Sequence, residues 1–272
     1  MTTVLVTGGN GQLASCIKDV EVRYDELKFI YTDYQDLDIS DLNKVQSFFK
    51  SHQIAYCVNC AAHTDVDKAE SETDRVFQIN AQGAKNLALA CKEFNVVLIH
   101  ISTDFVFDGT KREPYTEEDK PNPISVYGAS KLQGEIEIQK VLKAHFIIRT
   151  SWLYSEYGSN FMKTMLRLAE TRDTINVVSD QVGTPTYAGD LAKVIIRIIN
   201  IHSKDFGLYH FSNDGAVSWY DFAKAIFSIS NTNVNVNPIL TEAYPTLATR
   251  PKFSVLSKVK ITEILKINIS KN

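Results

Sequence analysis

Tyr127 and Lys131 stand four residues apart in the run Ser125-Val126-Tyr127-Gly128-Ala129-Ser130-Lys131. That spacing puts both on one face of a helix. A phenol beside an ammonium can serve as the proton donor of a reduction, because a neighbouring cation stabilises the phenolate left behind. Moving a tyrosine from about 10 by ~3 units toward neutrality takes about 4 kcal/mol. A desolvated lysine together with a cofactor charge can supply that. The same spacing recurs at Tyr24/Lys28 and Tyr220/Lys224, so position along the chain must choose among the three.

The elements that would position such a pair begin at the N-terminus. Residues 2–7 form a short β-branched apolar run, followed by Gly8-Gly9-Asn10-Gly11-Gln12-Leu13-Ala14. Strand, glycine turn and helix is the arrangement that lets a backbone approach a pyrophosphate at a helix N-terminus. Gly8 and Gly11 serve the turn and the close approach, with Gln12 and Leu13 opening the helix; the bland alternative is a glycine turn that holds nothing. A second strand, Lys28-Phe29-Ile30-Tyr31-Thr32, ends at Asp33, close to the ~20-residue offset of a carboxylate on an adenosine ribose. Its charge tilts the cofactor toward NAD over a 2′-phosphorylated form. Asp38 and Ile39 follow in a turn, Asp38 as a candidate acceptor for an adenine amino group. Ser40 or Asp41 then caps a helix running to about residue 52. The third strand runs into Asn59-Cys60-Ala61-Ala62-His63-Thr64, and small residues there let a dinucleotide lie against the chain. One long helical region is expected over about 67–95, with Asn80 and Gly83 inside it. The fourth strand, residues 96–101, is apolar and β-branched, as a buried parallel strand should be, and it ends in Ser102-Thr103-Asp104. Ligands of open α/β sheets bind beyond the carboxyl ends of strands. A proline-rich, charged loop over 109–123 then leads into the helix of Tyr127. Only this Tyr/Lys pair opens the helix that follows the fourth strand. Tyr24/Lys28 falls at the opposite edge and Tyr220/Lys224 on a late helix. Beyond a fifth strand, residues 146–150, the rhythm loosens: a helix over 160–171, a strand over 175–178, a turn-rich stretch over 180–186, a helix over 191–201, a strand over 208–211 and a helix over 219–229.

Composition excludes several classes of function. The 272 residues carry a formal net charge of −3 and are 22% charged and 44% hydrophobic. This balance offers no electrostatic reason for a nucleic-acid or membrane-surface partner. No apolar run approaches the ~18 residues of a membrane span, and no leader precedes the glycine motif, so a cytoplasmic location is expected. Cys57 and Cys60 form a C-x-x-C without a second ligand pair, and they read as buried reduced thiols. The run His63-Thr64-Asp65-Val66-Asp67 reads as a loop beside a cofactor. No metal is expected.

The segments VTGGNGQL (6–13), LDISD (37–41), NCAAHTDVDKAE (59–70), ISTDFVFDG (101–109), YGASKLQGE (127–135), RTSWLY (149–154), NFMKTMLRLA (160–169), DQVGTPTYAGDLA (180–192), YHFSNDGAVSWYDFA (209–223) and RPKFSVL (250–256) span nearly the whole chain. Together they resemble the dTDP-4-dehydrorhamnose reductase family of extended short-chain dehydrogenase/reductases. The resemblance implies an α/β protein: a Rossmann-type doubly wound parallel sheet over 1–151, and a smaller substrate-binding α/β region over 152–272 with segments crossing back to that sheet. It implies NADPH or NADH as cofactor and a dTDP-sugar as substrate, whose 4-keto group is reduced. Thr103 would hydrogen-bond that keto oxygen, Tyr127 would donate the proton, and Lys131 would lower the phenol's pKa and bind the nicotinamide ribose. Gly8, Gly11, Gln12, Leu13, Asp33, Asp38, Ile39, Ala61, Ala62 and Thr64 would line the cofactor. Val66, Asp104, Phe105 and Trp152 would shape the sugar pocket, and Asn160 and Arg250 would face the nucleotide diphosphate. Tyr34 stands where many members carry an Arg beside the ribose carboxylate. Cys16 stands where some members carry an acidic residue for a metal shared between subunits. The chain also ends soon after Ile261–Leu265, which leaves a homodimer open. The alternatives are a reductase of another 4-keto-6-deoxy nucleotide sugar, or a non-catalytic subunit similar to the regulatory subunit of methionine adenosyltransferase.

Overall fold

A computed structural model describes residues 1–270. Its first half alternates strands β1 (Thr2–Thr7), β2 (Leu27–Thr32), β3 (Tyr56–Asn59), β4 (Val97–Thr103) and β5 (His145–Thr150) with helices α1 (Gln12–Glu21), α2 (Leu42–Ser51), α3 (Val66–Ala69), α4 (Thr73–Phe77), α5 (Ala84–Phe94) and α6 (Val126–Val141). The second half holds β6 (Leu153–Tyr154), α7 (Phe161–Ala169), β7 (Thr174–Val178), β8 (Val182–Gly183), β9 (Thr186–Tyr187), α8 (Ala188–Asn200), β10 (Gly207–His210), β11 (Val217–Ser218), α9 (Trp219–Ile229), β12 (Asn235–Ile239) and α10 (Val259–Leu265).

Six strands make one sheet in the order β10-β5-β4-β3-β1-β2, every neighbouring pair parallel. Strands buried on both faces need apolar residues at odd and even positions alike, and β1 supplies them. Val4 and Val6 pack with α1, α8 and α10 on one face, while Leu5 packs with α2, α5 and α6 on the other. The winding turns back between β1 and β3, and this switch point opens a crevice at the strands' carboxyl ends. A separate apolar cluster joins α7, α9, β7 and β12.

The expected helix over 67–95 is not continuous. It breaks after Ala69, restarts at Thr73 and passes through a π-helical stretch, Gln78–Gly83, before α5. The widened turn faces α6, whose Gly134 abuts the Asn80 carbonyl. β12 and α10 carry little sequence signal: β12 is mostly exposed and Asn-rich, and α10 spans only 7 residues. The turn-rich stretch over 180–186 includes β8 and the start of β9. No helix among the described residues is long and apolar enough to cross a membrane.

Candidate active site

The glycine turn is built for close backbone contact. Gly8 has φ +67°, and a Cβ there would lie 2.8 Å from the Ala61 amide nitrogen. A side chain would therefore force β1 and β3 apart as well as strain the backbone. The Gly11 N–H bonds the Gly8 carbonyl at 2.9 Å. No side chain caps α1, and its first turn holds no acidic residue, so its leading amides and partial positive charge face the crevice. These features fit a dinucleotide pyrophosphate. Leu13 is 4% exposed and Ile39 5%; both side chains belong to the core, so only their backbones can meet a cofactor. Asp33 sits at the end of β2, its Oδ1 accepting from the Tyr34 amide at 2.7 Å. Asp38 Oδ1 accepts from the Ser40 amide and hydroxyl at 2.9 and 2.7 Å, a turn-forming role that competes with the expected adenine contact. Asp41 rather than Ser40 caps α2. Ala61, Ala62 and Thr64 follow β3. Asn80 holds this loop by accepting from the His63 amide at 2.8 Å and donating to the His63 carbonyl at 3.0 Å. The same Asn80 amide donates to Ser130 on α6 at 2.9 Å.

Thr103 ends β4 and Tyr127 lies in the first turn of α6, which Ser125 caps by accepting from the Gly128 amide. The Thr103 hydroxyl lies near the Tyr127 phenol and acts to lower its pKa, and the Phe105 ring meets the Tyr127 ring edge-on at 5.6 Å. The Thr103 hydroxyl also donates to Asp104 Oδ1 at 3.1 Å. Asp104 is 2% exposed, and its Oδ2 has no hydrogen-bond partner. Burial pushes its carboxyl up to about 6, against the opposing pull of the nearby Ser254 and Thr103 hydroxyls.

Lys131 departs from expectation. Its ammonium nitrogen donates to the Ile101 carbonyl at 2.6 Å and lies 3.4 Å from His100 Nε2. It is not among the groups that act on Tyr127. Burial pushes the Tyr127 phenol up to about 12, the Thr103 bond opposes this, and the Asp104 charge adds to it. The sequence predicts a lowering of this phenol by Lys131; here its pKa rises, because a partly covered phenol loses solvation and the Asp104 charge adds to the rise.

The remaining candidates fall in two groups. Val66 opens α3. Trp152, at φ +45°, stacks on Trp219 at 3.4 Å and 7°, over Gly183. Asn160 caps α7 and donates to Gln12 Oε1 at 3.3 Å, which links the glycine turn to the second half. Arg250 makes a two-pronged ion pair with Asp67, at 3.2 and 2.6 Å; the guanidinium expected on a diphosphate is held by a carboxylate. Asp33 lies three strands from β4, about 14 Å by strand spacing, and no contact joins it to Tyr127. Nothing in the sequence marks Asn80, Trp219, Ser254 and Asp67 for these roles by motif. Only Asn80, an amide within a helical pattern, left a local signal. Cys57 and Cys60 are free thiols packed on opposite faces of the sheet. Among the described residues no group of three or more His, Cys, Asp or Glu could hold a metal ion.

A family model described as the RmlD substrate binding domain matches residues 1–271. A dTDP-4-dehydrorhamnose reductase of Aggregatibacter actinomycetemcomitans is 41% identical, over 99% of this chain and 95% of its own length. The crystal structure of a dTDP-4-dehydrorhamnose reductase from Clostridium acetobutylicum superposes with a TM-score of 0.95 at 43% identity, covering 100% of this chain and 95% of that one. That of the Bacillus anthracis reductase in complex with NADP gives 0.96 at 41% identity, covering 100% and 96%. With the family model and the reductase relative both matching it almost from end to end, the chain belongs to the dTDP-4-dehydrorhamnose reductase family.

Proposed function

We propose that the protein reduces the 4-keto group of dTDP-4-dehydro-L-rhamnose with NADPH or NADH, giving dTDP-L-rhamnose for nucleotide-sugar and polysaccharide synthesis. The observation that carries this reading is the convergence of Thr103, at the end of β4, and Tyr127, in the first turn of α6. It lies at the same sheet edge as a glycine turn that fits a pyrophosphate. Names and cofactor of the relatives support the same reaction.

In this reading residues 1–151 hold the cofactor and residues 152–272 supply the outer wall of the sugar site. Gly8, Gly11 and the leading amides of α1 hold the pyrophosphate, and Asp33 takes the adenosine ribose. The bound cofactor supplies the hydride to C4. Thr103 donates its hydroxyl proton to the keto oxygen as a hydrogen bond and fixes its place. Tyr127 gives its phenolic proton to that oxygen as the C–O double bond becomes single, and is left as phenolate. A phenol near 12 is fully protonated at neutral pH, so the donor form is populated before each turnover. Lys131, anchored to Ile101, presents a charge on the same face of α6 as Tyr127. Arg250 meets the diphosphate while bracing α3 through Asp67, and Trp152 with Trp219 forms an aromatic floor. Four free cysteines suit the reducing cytoplasm.

The purified protein, mixed with dTDP-4-dehydro-L-rhamnose and each reduced cofactor in turn, is expected to yield dTDP-L-rhamnose in step with cofactor oxidation. No oxidation with any 4-keto-6-deoxy nucleotide sugar would favour a non-catalytic partner protein. Oxidation with a different keto sugar alone would keep the mechanism and change the substrate.

A further inference from the structure

We infer that His100 is a positioning residue for Lys131: a hydrogen-bond chain whose direction is set at a backbone N–H holds the imidazole as its Nε2–H tautomer and turns that N–H toward the lysine nitrogen. The chain starts at Ala61, whose amide donates to Asn59 Oδ1 at 3.2 Å. The Thr7 hydroxyl bonds the same oxygen at 2.7 Å. A backbone N–H can only donate, so the atom it meets is the amide oxygen and the other end of Asn59 is the NH2 group. That group lies 3.0 Å from His100 Nδ1, which must therefore accept. A neutral imidazole carries one proton, and here it is left on Nε2, 3.4 Å from Lys131 Nζ. An imidazolium would set N–H against N–H at Asn59. Turning the Asn59 amide to relieve this would break the bond from Ala61, leaving that N–H only the longer contact to the Thr7 hydroxyl at 3.4 Å.

The consequence falls on Lys131. Its nitrogen donates one proton to the Ile101 carbonyl. As a neutral amine it keeps a lone pair for the His100 N–H; as an ammonium it opposes it. The charged and titratable groups around the pair are few. Glu135 faces Lys131 from α6 and Cys60 from the end of β3, while His145 faces His100 from β5. Glu135 gives the lysine no direct bond, because Arg149 takes both its oxygens at 2.9 and 2.6 Å and Ser102 adds a bond at 2.5 Å. Burial draws Lys131 down to about 8, which Glu135 and Cys60 oppose. Burial, then the charges of Lys131 and His145, hold His100 well below the usual imidazole range. Lys131 is thereby a lysine that changes charge near neutral pH, on the face of α6 that carries Tyr127. The inference rests on the reading of Lys131 as a site residue only for its catalytic meaning.

Two measurements test it. Long-range 1H–15N spectra of the imidazoles, with His100 assigned by its loss in His100→Gln, should show a neutral ring protonated on Nε2 from about pH 8 down to about pH 5. A ring protonated on Nδ1, or one that becomes imidazolium within that range, overturns the inference. This reading needs no turnover, so it stands apart from the success or failure of the proposed reaction. The second measurement uses Asn59→Asp, which reverses the chain: the carboxylate accepts from Nδ1–H, and Nε2 becomes the acceptor for an ammonium. Titration of Lys131 followed through its side-chain 13C shifts should move upward by about one unit, a tenfold change in the proton equilibrium. An unmoved Lys131 titration in a folded Asn59→Asp protein contradicts the proposal. The new carboxylate also attracts the ammonium directly, so Asn59→Asp is repeated in His100→Gln: a smaller rise there is the expected result, and an equal rise would show that the imidazole plays no part.

Discussion

Asp104 is the charge that acts on the Tyr127 phenol, after burial and the Thr103 hydroxyl. Its folded pKa near 6 stands above the 3.8 of a free carboxyl, so between those values the native state keeps a proton that the unfolded chain has lost. The contribution of Asp104 to stability is full below about pH 4, declines as the pH rises to about 6, and stays lower above. Asp104→Asn removes that slope. Urea unfolding is expected to show the variant about 1–3 kcal/mol more stable than wild type at neutral pH, and equal to it near pH 4. A difference between Asp104→Asn and wild type that does not grow across this window would contradict the account. The same substitution removes a charge that raises the Tyr127 phenol. At this scale, residues inside motifs were legible: Gly8, Thr103 and Tyr127 stand at element junctions that apolar periodicity locates. The partner of Asp104 was not, because Ser254 approaches from a distant part of the chain with no local pattern to mark it. Nor was the direction of the Tyr127 shift legible, since a four-residue spacing says nothing about where a flexible lysine ends.

α6 is the element that carries the chemistry, and two contacts fix its height. Gly134 lies against the Asn80 carbonyl of the π-helical stretch, so Gly134→Ala must push α6 outward. The expected cost is about 1–3 kcal/mol in denaturant unfolding, with a loss of turnover larger than the loss of folded protein. On the sheet side, Glu135 of α6 pairs with Arg149 of β5, both side chains almost wholly buried. Arg149→Met leaves a buried carboxylate without its cation and should cost about 3–5 kcal/mol, whereas Glu135→Leu combined with Arg149→Met should recover most of it. A single variant as stable as the double one would show that the pair is not holding α6. The strands of the main sheet were legible because their apolar, β-branched runs are short and bounded by turn residues. The break in the 67–95 region was not. Its residues keep a helical pattern throughout, and only the packing of Asn80 and Gly134 selects the wider turn.

Over the whole molecule the second half is joined to the first by β10 in the main sheet and by α8 and α10 packed on it, and across the site by polar threads. Asn160 reaches Gln12, and Arg250 reaches Asp67. The latter pair is partly exposed, so Arg250→Ala should cost under about 1 kcal/mol of stability. If the guanidinium also meets the diphosphate, KM for the nucleotide sugar should rise about tenfold with kcat little changed. An unchanged KM would confine Arg250 to bracing α3. The pairing of Trp152 with Trp219 was beyond sequence reasoning, since stacking of distant rings leaves no periodic trace. The central claim is that Tyr127 gives the proton. It is tested most directly by the steady-state oxidation of NADPH and NADH with dTDP-4-dehydro-L-rhamnose by wild-type and Tyr127→Phe proteins of equal folded content. The account predicts a fall in kcat of about 10²–10⁴-fold in the variant with cofactor binding retained. A variant that oxidises either cofactor at the wild-type rate would contradict it.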